Sequence, residues 1–591
     1  MRRVATSWRM CGSFLALKAA RADDGASTNG YYRDRVPRVV GLGGNIMGDV
    51  AGGAGSTRRD FVRAAGMLAA GLGVTPLLGA CASIGASRSD VNVEEATIVD
   101  FQVAMHAGRL DSESLVRTYL RRIQAIDRSG PMLRSVQEIN PDAIPIARAL
   151  DGERRARGPR GLLHGIPVLL KDNIATADKM ETTAGALALL GARPREDSTI
   201  AQRLRQAGAV ILGKASMSEW AYFKSTPGSS GWSARSGQAR NPYALNRTPC
   251  GSSSGSAIAV AANLVAVALG TETDGSIICP SGVNGVVGIK PTVGLTSRAG
   301  VIPISATQDT VGSFGRTVAD AAAVLGALVG VDPRDAATQA SAGQSRPDYT
   351  QFLDPNGLRG ARIGVPRDEY FGYSPKADAV ANQAIDVLRD RGAVVIDPVK
   401  IPNFDRAALT AAEIIVLLYE FKAGVNAYLA GLAPGGPVRT LDDIIQFNKR
   451  SAGDNLPFFG QELLVRAQAK GGLGEAEYLE ALEKCRRLAG REGFDVVMGE
   501  HQLDALVAPT TTPAWPVDLV NGDQFRGSSA KSAALVGYPL VSVPAGSTMG
   551  LPVGITFMGR AWSEPTLVKL AYAFEQATKA RRPPQYLATS P

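Results

Sequence analysis

Apolar residues recur at two spacings along most of this chain, and the alternation predicts helices separated by short strands. Between residues 93 and 126 they fall mostly three and four positions apart, which is the helical period, and Asp111 and Ser112 are typical of the start of a second helix there. Short apolar runs predict strands at 167–170, 209–212, 286–289, 362–365, 393–396 and 505–507. This order of elements indicates an α/β fold.

Two Ser- and Gly-rich turns enclose a run of small residues between positions 251 and 276. A helix is predicted over residues 257–264, and a strand-like run over 265–269 leads into the second turn. Such turns are poorly suited to apolar packing, but they can place hydroxyls and backbone N–H groups around one point. Residues 430–475 are rich in Gly and charge, and we expect an inserted helical or lid segment there.

Length and composition leave the number of domains open. A chain of 591 residues could contain three or four domains, but its short apolar runs and 66 glycines also suit one large α/β domain. The hydrophobic fraction of 45% and the charged fraction of 20% are typical of a soluble globular protein.

The net charge of +9 does not indicate a nucleic-acid partner. Ten arginines lie in the first 63 residues, and beyond them Lys and Arg alternate with Asp and Glu without a basic stripe. The three histidines and five cysteines show no metal-ligand spacing. We therefore expect no metal site and no catalytic system built on histidine.

Residues 47–81 have the features of an export signal. Arg58 and Arg59 precede Phe61 and a moderately apolar run over 64–78, which is too short and too rich in Gly and Ala to span a membrane. The run ends in Leu-Gly-Ala-Cys at 78–81, which resembles a bacterial lipobox. We expect a twin-arginine signal peptide and a lipid on Cys81, which would make the protein periplasmic or lipid-anchored. A surface amphipathic segment is the alternative interpretation.

A signal of this kind begins near the start codon, and Met47 lies suitably close to the arginine pair. We hypothesise that translation starts at Met47. Residues 1–46 would then be a start-site artefact or a disordered extension, and residues 82–92 a linker.

Lys171 stands at the end of the strand predicted over 167–170 and is followed by Asp172 and Asn173. Burial disfavours the charged form of an amine, so a lysine here should have a lowered pKa. Alone, such a residue is more often structural. A neutral amine beside a serine would nevertheless be chemically useful, because a serine hydroxyl is a weak nucleophile until a base takes its proton.

Three ordered motifs make the chain resemble the amidase-signature family. They are Gly-Ser-Ser-Ser-Gly-Ser at 251–256, Gly-Thr-Glu-Thr-Asp-Gly-Ser-Ile-Ile-Cys-Pro at 270–280 and Gly-Ile-Lys-Pro-Thr-Val-Gly at 288–294. The family patterns are GGSSGGS, GT(D/E)xGGSIRxP and GxKPTxG, in that order. Ser252 and Ser276 lie 24 positions apart, the family's usual separation. The resemblance covers residues from roughly 95 to 585, and it implies one large domain, over residues 93–591, with a central mixed β-sheet flanked by helices.

The resemblance implies a serine amidase that needs no cofactor and no metal. It assigns Ser276 as the nucleophile, Ser252 (in a cis peptide in the family) as the proton relay and Lys171 as the base. The oxyanion hole is expected from the backbone N–H groups of Thr273, Asp274, Gly275 and Ser276. The expected supporting residues are Ser253, Asp172 and Asn173.

Several positions depart from the family pattern. Asp274 replaces a Gly, Ile278 replaces the usual Arg, and Cys250 and Ser254 each stand where the first motif usually has Gly. Asp274 could tune Lys171, accept from the substrate or only brace the loop. Cys250 and Cys279 each lie within three residues of a catalytic serine, and we expect them to be buried packing residues rather than a disulfide pair.

The segments 231–238 and 270–277 resemble the peptide amidase branch, which removes the ammonia of a C-terminal peptide amide. We therefore expect an amidase that acts on peptide amides or a related small amide. One alternative is the glutamine-hydrolysing component of a tRNA-dependent amidotransferase, which would be cytoplasmic. Another is a catalytically inactive lipoprotein that binds amides or peptides, and an aryl-acyl or fatty-acid amide hydrolase also stays open.

Overall fold

The expected alternation of helices and strands is present in the computed structural model, which describes residues 92–590. The proposed signal at 47–81, its lipid attachment residue Cys81 and the extension at 1–46 lie outside these described residues. The proposed linker lies outside them too, except for its last residue.

The strands of the described chain form one 11-stranded sheet and one two-stranded hairpin. They are β1 (Val136–Ile139), β2 (Pro167–Lys171), β3 (Val210–Ala215), β4 (Trp232–Ser233), β5 (Gly237–Gln238), β6 (Val267–Glu272), β7 (Val287–Lys290), β8 (Thr310–Gly315), β9 (Arg362–Pro366), β10 (Val394–Val399), β11 (Ala505–Pro509), β12 (Leu540–Thr548) and β13 (Leu551–Met558). The large sheet has the order β1-β3-β2-β6-β8-β7-β12-β13-β11-β9-β10, and β4 and β5 form the hairpin.

The sheet is mixed. Strand β2 runs parallel to both of its neighbours, β3 and β6, and β9 runs parallel to β10 and β11, whereas the remaining pairs are antiparallel. All five residues of β2 are buried, which explains its uninterrupted apolar sequence.

Helices flank the sheet. They are α1 (Ile98–His106), α2 (Ser112–Arg122), α3 (Ala143–Arg157), α4 (Thr199–Gln206), α5 (Ser254–Ala261), α6 (Ile278–Val283), α7 (Val318–Leu328), α8 (Arg367–Tyr370), α9 (Pro375–Asp390), α10 (Arg406–Ala430), α11 (Leu441–Arg450), α12 (Ala452–Asn455), α13 (Glu462–Gln468), α14 (Ala476–Cys485), α15 (Asp495–Glu500), α16 (Lys531–Val536) and α17 (Glu564–Thr578). Shorter 3₁₀ or π segments are Ile123–Arg128, Leu187–Leu189, Glu219–Tyr222, Ala336–Ser341, Thr350–Phe352 and Arg486–Phe494. Among the helices of residues 92–590, none is both long and apolar enough to cross a membrane.

The predicted elements are present, with shifted ends. Asp111 begins α2 as expected, because its side chain accepts the N–H of Ser114 and so caps the helix. Helix α5 begins three residues before its predicted start and ends three residues before its predicted end, because Ser254 to Ser256 already have helical geometry. Every residue of α5 is buried, in agreement with its small side chains.

The segment 430–475 contains α11, α12 and α13, so the expected helical content is confirmed. Most of its buried apolar side chains belong to one cluster with Trp220, Phe223 and Phe421. Two larger clusters serve the sheet itself, one around β2, β3 and β6 and the other around β7, β9 and β11 to β13.

Candidate active site

Lys171 is the last residue of β2 and is completely buried. The parallel register pairs Leu170 with Leu269 of β6, so Lys171 lies beside the end of that strand. Its Nζ contacts Ser252 Oγ at 2.7 Å, Thr271 O at 3.0 Å and Thr271 Oγ1 at 2.9 Å. These three partners are neutral oxygens, so the amine has no direct carboxylate partner among the described residues.

Burial lowers the pKa of Lys171 to about 7, although the carboxylates of Asp309 and Glu272 act in the opposite direction. The two carboxylates already accept hydrogen bonds from backbone N–H groups, and their effect does not offset the loss of hydration. Asp309 accepts the N–H groups of Ile304 and Ser305, and Glu272 accepts those of Ile277 and Ile278. Near neutral pH a substantial fraction of Lys171 is therefore the uncharged amine.

Ser252 follows Gly251 through a cis peptide bond, just before α5. A side chain at Gly251 would lie 2.2 Å from Ser218 Oγ, and one at Gly255, in the first turn of α5, would lie 2.2 Å from Ser135 O, so neither position has room for a side chain. This close packing brings Ser252 Oγ, itself buried, onto the Lys171 amine.

Ser276 lies in the turn between β6 and α6. The carbonyl of Ser276 accepts the N–H of Ser253 at 3.1 Å, which ties the two Ser-rich turns together. Ser276 is 8% exposed, whereas Ser252 is 1% exposed and Lys171 fully buried. Within residues 92–590 the Ser276 hydroxyl has no hydrogen-bond partner. Of the three residues, Ser276 is therefore the most accessible to solvent.

The Thr273–Ser276 turn also presents unused donors. Gly275 has a φ of +78°, which favours glycine. The N–H groups of the following residues, Ile277 and Ile278, donate to Glu272 Oε2 at 2.6 and 2.9 Å. By contrast, in the part of the chain that the structure describes, the N–H groups of residues 273–276 donate no hydrogen bond. Adjacent free N–H groups in a tight turn can bind a developing oxyanion.

The three residues expected to support the site all lie at it. Ser253 Oγ donates to Thr271 O at 3.1 Å, and Asn173 Nδ2 donates to Thr271 Oγ1 at 3.0 Å. Both contacts hold the threonine that accepts from Lys171. Asp172 is buried, accepts from Thr183 Oγ1 and forms an ion pair with Arg235 at 3.4 Å.

The 231–238 segment, whose sequence suggested the peptide amidase branch, borders this site. It forms the β4–β5 hairpin, and its Arg235 joins Asp172 to Glu138. The N–H of Gly231 donates to Ser218 Oγ, and the N–H of Ser218 donates to Ser252 O at 3.1 Å.

The expectation that Cys250 and Cys279 do not pair is wrong. Their sulfurs form a disulfide, with a Cα–Cα distance of 6.0 Å. Both residues are buried, as expected, but the contact between the two Ser-rich turns also brings the two thiols together. Spacing along the chain could not reveal this contact, because it depends on how the turns meet.

Two charged residues at the site carried no signal in the sequence. Lys531, at the start of α16, places its Nζ 2.6 Å from Asp274 Oδ2 and 2.5 Å from Glu413 Oε2 of α10. Lys531 lies 257 positions after Asp274, so no local motif joins the two. Of the three roles considered for Asp274, support of the loop is therefore the one for which the structure shows a partner, which is Lys531.

The chain belongs to the amidase family, whose model matches residues 114–568. The family and the site together define a serine hydrolase of amides. Its features are the mixed sheet, the residues Lys171, Ser252 and Ser276, and the free N–H groups of the turn.

The most informative relatives are amidases. The native peptide amidase from Stenotrophomonas maltophilia is 53% identical, with a TM-score of 0.80 over 84% of this chain and 99% of that one. An Arabidopsis thaliana protein named as a probable amidase is 46% identical over 85% of this chain and 93% of its own length. A glutamyl-tRNA(Gln) amidotransferase component from Halorhodospira halophila is less similar, at 36% identity over 82% of this chain and 98% of its own length.

Proposed function

We propose that this amidase hydrolyses C-terminal peptide amides to the carboxylate and ammonia, through an ester of the acyl group on Ser276. The observation that carries the proposed mechanism is the 2.7 Å contact between the buried Lys171 Nζ and Ser252 Oγ. The choice of peptide amides is supported by the 53% identity to a peptide amidase and by the position of the 231–238 hairpin beside the site.

The contacts of Lys171 suit a neutral amine, which has two N–H groups and one lone pair. Thr271 O accepts one N–H and Thr271 Oγ1 accepts the other. The lone pair then remains for the hydroxyl proton of Ser252. When the Ser252 hydroxyl donates to the neutral amine in this way, the lone pairs of Ser252 Oγ can accept the proton of Ser276.

In the first half-reaction Ser276 Oγ forms a bond to the amide carbon. Its proton passes to Ser252 Oγ while the Ser252 proton passes to Lys171, which becomes an ammonium. The carbonyl oxygen gains the negative charge and accepts hydrogen bonds from N–H groups of residues 273–276. Each such donor typically contributes about 3 kcal/mol of transition-state stabilisation.

The C–N bond then breaks, and the proton returns from Lys171 through Ser252 to the leaving nitrogen, which departs as ammonia. Water attacks the ester and loses its proton along the same route. When the C–O bond to Ser276 breaks, Ser276 regains its hydroxyl proton and Lys171 becomes neutral again.

Ammonia release tests the proposal. The purified protein would be assayed on peptide amides, free amino-acid amides and glutamine, beside Ser276→Ala. We expect release from peptide amides that the Ser276→Ala variant loses. Release from glutamine alone would favour the amidotransferase activity instead. No release from any of them, together with no fluorophosphonate adduct on Ser276, would favour an amide-binding protein without catalysis.

We also propose that residues 47–81 direct export and that Cys81 carries a lipid. The twin arginines at 58 and 59 and the Leu-Gly-Ala-Cys sequence at 78–81 support this proposal. The Cys250–Cys279 disulfide supports it further, because such bonds persist in oxidising compartments. Metabolic labelling with an alkyne fatty acid should mark the wild type and not Cys81→Ser. Equal labelling of both, or of neither, would contradict the lipid anchor.

A further inference from the structure

Lys531 and Glu413 form a largely buried charge cluster with Asp274 of the Thr273–Ser276 turn. The side chain of Lys531 is 11% exposed and that of Glu413 is 6% exposed, whereas Asp274 is 22% exposed. One ammonium therefore lies between two carboxylates, and the proton relay from Lys171 to Ser276 uses none of the three residues.

The cluster is part of a set of three side-chain contacts to the turn, made by Lys531, Asp309 and Gln308. Lys531 binds the Asp274 carboxylate at 2.6 Å, and Asp309 Oδ1 accepts the hydroxyl of Thr273 at 2.6 Å. Gln308 Nε2 donates to Thr273 O at 3.4 Å and also to Glu413 Oε1 at 2.9 Å. Lys531 therefore contacts the Asp274 side chain directly. It is also linked to the carbonyl of Thr273, because Glu413 binds both Lys531 and Gln308.

That peptide needs such support. The N–H groups of residues 273–276 donate no hydrogen bond within residues 92–590, so their orientation depends on the other contacts of the turn. The loop before α16 comes close as well, because Ser528 and Ala530 lie 3.9 Å from where a side chain of Gly275 would begin.

The charge of Lys531 has a second effect. Burial opposes the ammonium, but the carboxylates of Asp274 and Glu413 outweigh burial and raise the pKa of Lys531 above its ordinary value. Lys531 is therefore charged at neutral pH. Without this cation the Asp274 carboxylate would be uncompensated beside the place where the substrate oxygen becomes negative, and like charges in a buried site repel strongly.

We propose that Lys531 is a positioning residue for amide hydrolysis, which holds the Asp274 carboxylate so that the N–H groups of the Thr273–Ser276 turn converge on the oxyanion. The proposal rests on the proposed function, because it assumes that Ser276 is the nucleophile. It goes beyond that function by assigning a role to a residue from the far end of the chain.

Kinetics of Lys531→Met, which keeps the length of the side chain but removes its charge, test the proposal. We expect kcat on a peptide amide to fall about 30- to 100-fold with KM changed less than threefold, somewhat less than the loss of one oxyanion donor. Lys531→Arg keeps the charge and should retain at least about one tenth of kcat. The matched control is Arg581→Met, which removes a cation whose side chain is also 11% exposed and which pairs with Glu95.

Two further measurements separate positioning from folding. A peptide aldehyde adds to a serine hydroxyl and places its oxygen in the oxyanion hole, whereas the matching peptide alcohol binds without a bond. Lys531→Met should weaken the aldehyde by the same factor as kcat and leave the alcohol unchanged. An unchanged kcat, a similar kcat loss in Arg581→Met, or an aldehyde affinity equal to that of the wild type would overturn the proposal.

Fluorophosphonate labelling of Ser276 distinguishes this proposal from the proposed function. Phosphonylation also builds charge on an oxygen in the hole, so the labelling rate should fall in Lys531→Met even where the natural substrate is another amide. A wild type without any Ser276 adduct would refute the proposed function. A labelled wild type with an equally fast Lys531→Met would refute the role of Lys531 alone.

Discussion

Two buried lysines contact the 271–276 segment, and their surroundings shift their pKa values in opposite directions. Lys171 contacts three neutral oxygens, and burial lowers its pKa to about 7. Lys531 is nearly as buried but contacts two carboxylates, which raise its pKa despite burial. Burial alone therefore does not determine what a lysine can do.

The comparison of Lys171 with Lys531 distinguishes a lysine that serves as a base from a lysine that holds a loop in place. A lysine that must take a proton needs partners without a negative charge, and Thr271 and Ser252 meet that requirement. A lysine that must hold a loop needs a permanent charge and a charged partner, which Asp274 supplies. The 271–276 segment, which comprises the end of β6 and the turn after it, contacts a lysine of each kind.

Substitution of each lysine by arginine should give the largest difference between the two. A guanidinium stays protonated in proteins, so Lys171→Arg should lower kcat/KM by about 10⁴-fold, as loss of a catalytic base does elsewhere, and Lys171→Met should do the same. Lys531→Arg should instead remain active. Steady-state kinetics on one peptide amide would measure both. Comparable activity of Lys171→Arg and the wild type would refute the role of Lys171 as a base.

The pH dependence of kcat/KM gives the next largest effect. The neutral form of Lys171 is the active one and its pKa is about 7, so activity should fall about tenfold per pH unit well below 7 and level off above it. Lys531 is charged on both sides of that inflection and adds none of its own. A profile that is flat from pH 5 to 9, with chemistry shown to limit the rate, would contradict the assignment.

Thr271→Val should have a smaller effect, which sharpens the account of Lys171. An ammonium has three N–H groups and finds three acceptors here, so removal of the Thr271 hydroxyl disfavours the charged form more than the neutral one. We expect the inflection of the pH profile to move below 7 and the plateau rate to fall about tenfold. An inflection that moves upward would show that the hydroxyl does not support the ammonium.

Removal of the disulfide should affect activity least. The Cys250–Cys279 bond closes a separation of 29 residues, for which chain entropy gives about 3–4 kcal/mol of stability. The double variant Cys250→Ala/Cys279→Ala should unfold at lower denaturant concentration, keep kcat within about threefold and show the same pH inflection, because the bond contacts neither lysine. Cys485→Ala, at a buried unpaired cysteine, is the control. A moved inflection would mean that the disulfide helps to set the charge of Lys171.

Much of the fold and the site could be predicted from the sequence, since both depend on patterns of neighbouring residues. Uninterrupted apolar runs predicted β2 and β3, because such strands are buried on both faces. The two Ser- and Gly-rich turns pointed to Ser252 and Ser276. The structure brings Ser252 to Lys171, as the resemblance led us to expect.

The pairing of Cys250 with Cys279 and the contact of Lys531 with Asp274 could not be predicted in the same way. Each joins residues that are far apart in the chain, and each depends on distances of a few ångströms between separately folded segments. The sequence also could not say how the strands are ordered in the sheet, because side-chain periodicity is the same for every neighbour a strand could have.

The sequence by itself therefore determined the reactive groups: a lysine after a buried strand, and two serines in turns that only small residues can form. The lowered pKa of Lys171 agrees with what its place after a buried strand predicted, but the tertiary structure alone decided the charge of Lys531. Whether an amine keeps its proton depends on its hydration and on the charges near it, and the carboxylates that contact Lys531 belong to Asp274 and Glu413, which are remote from it in the sequence.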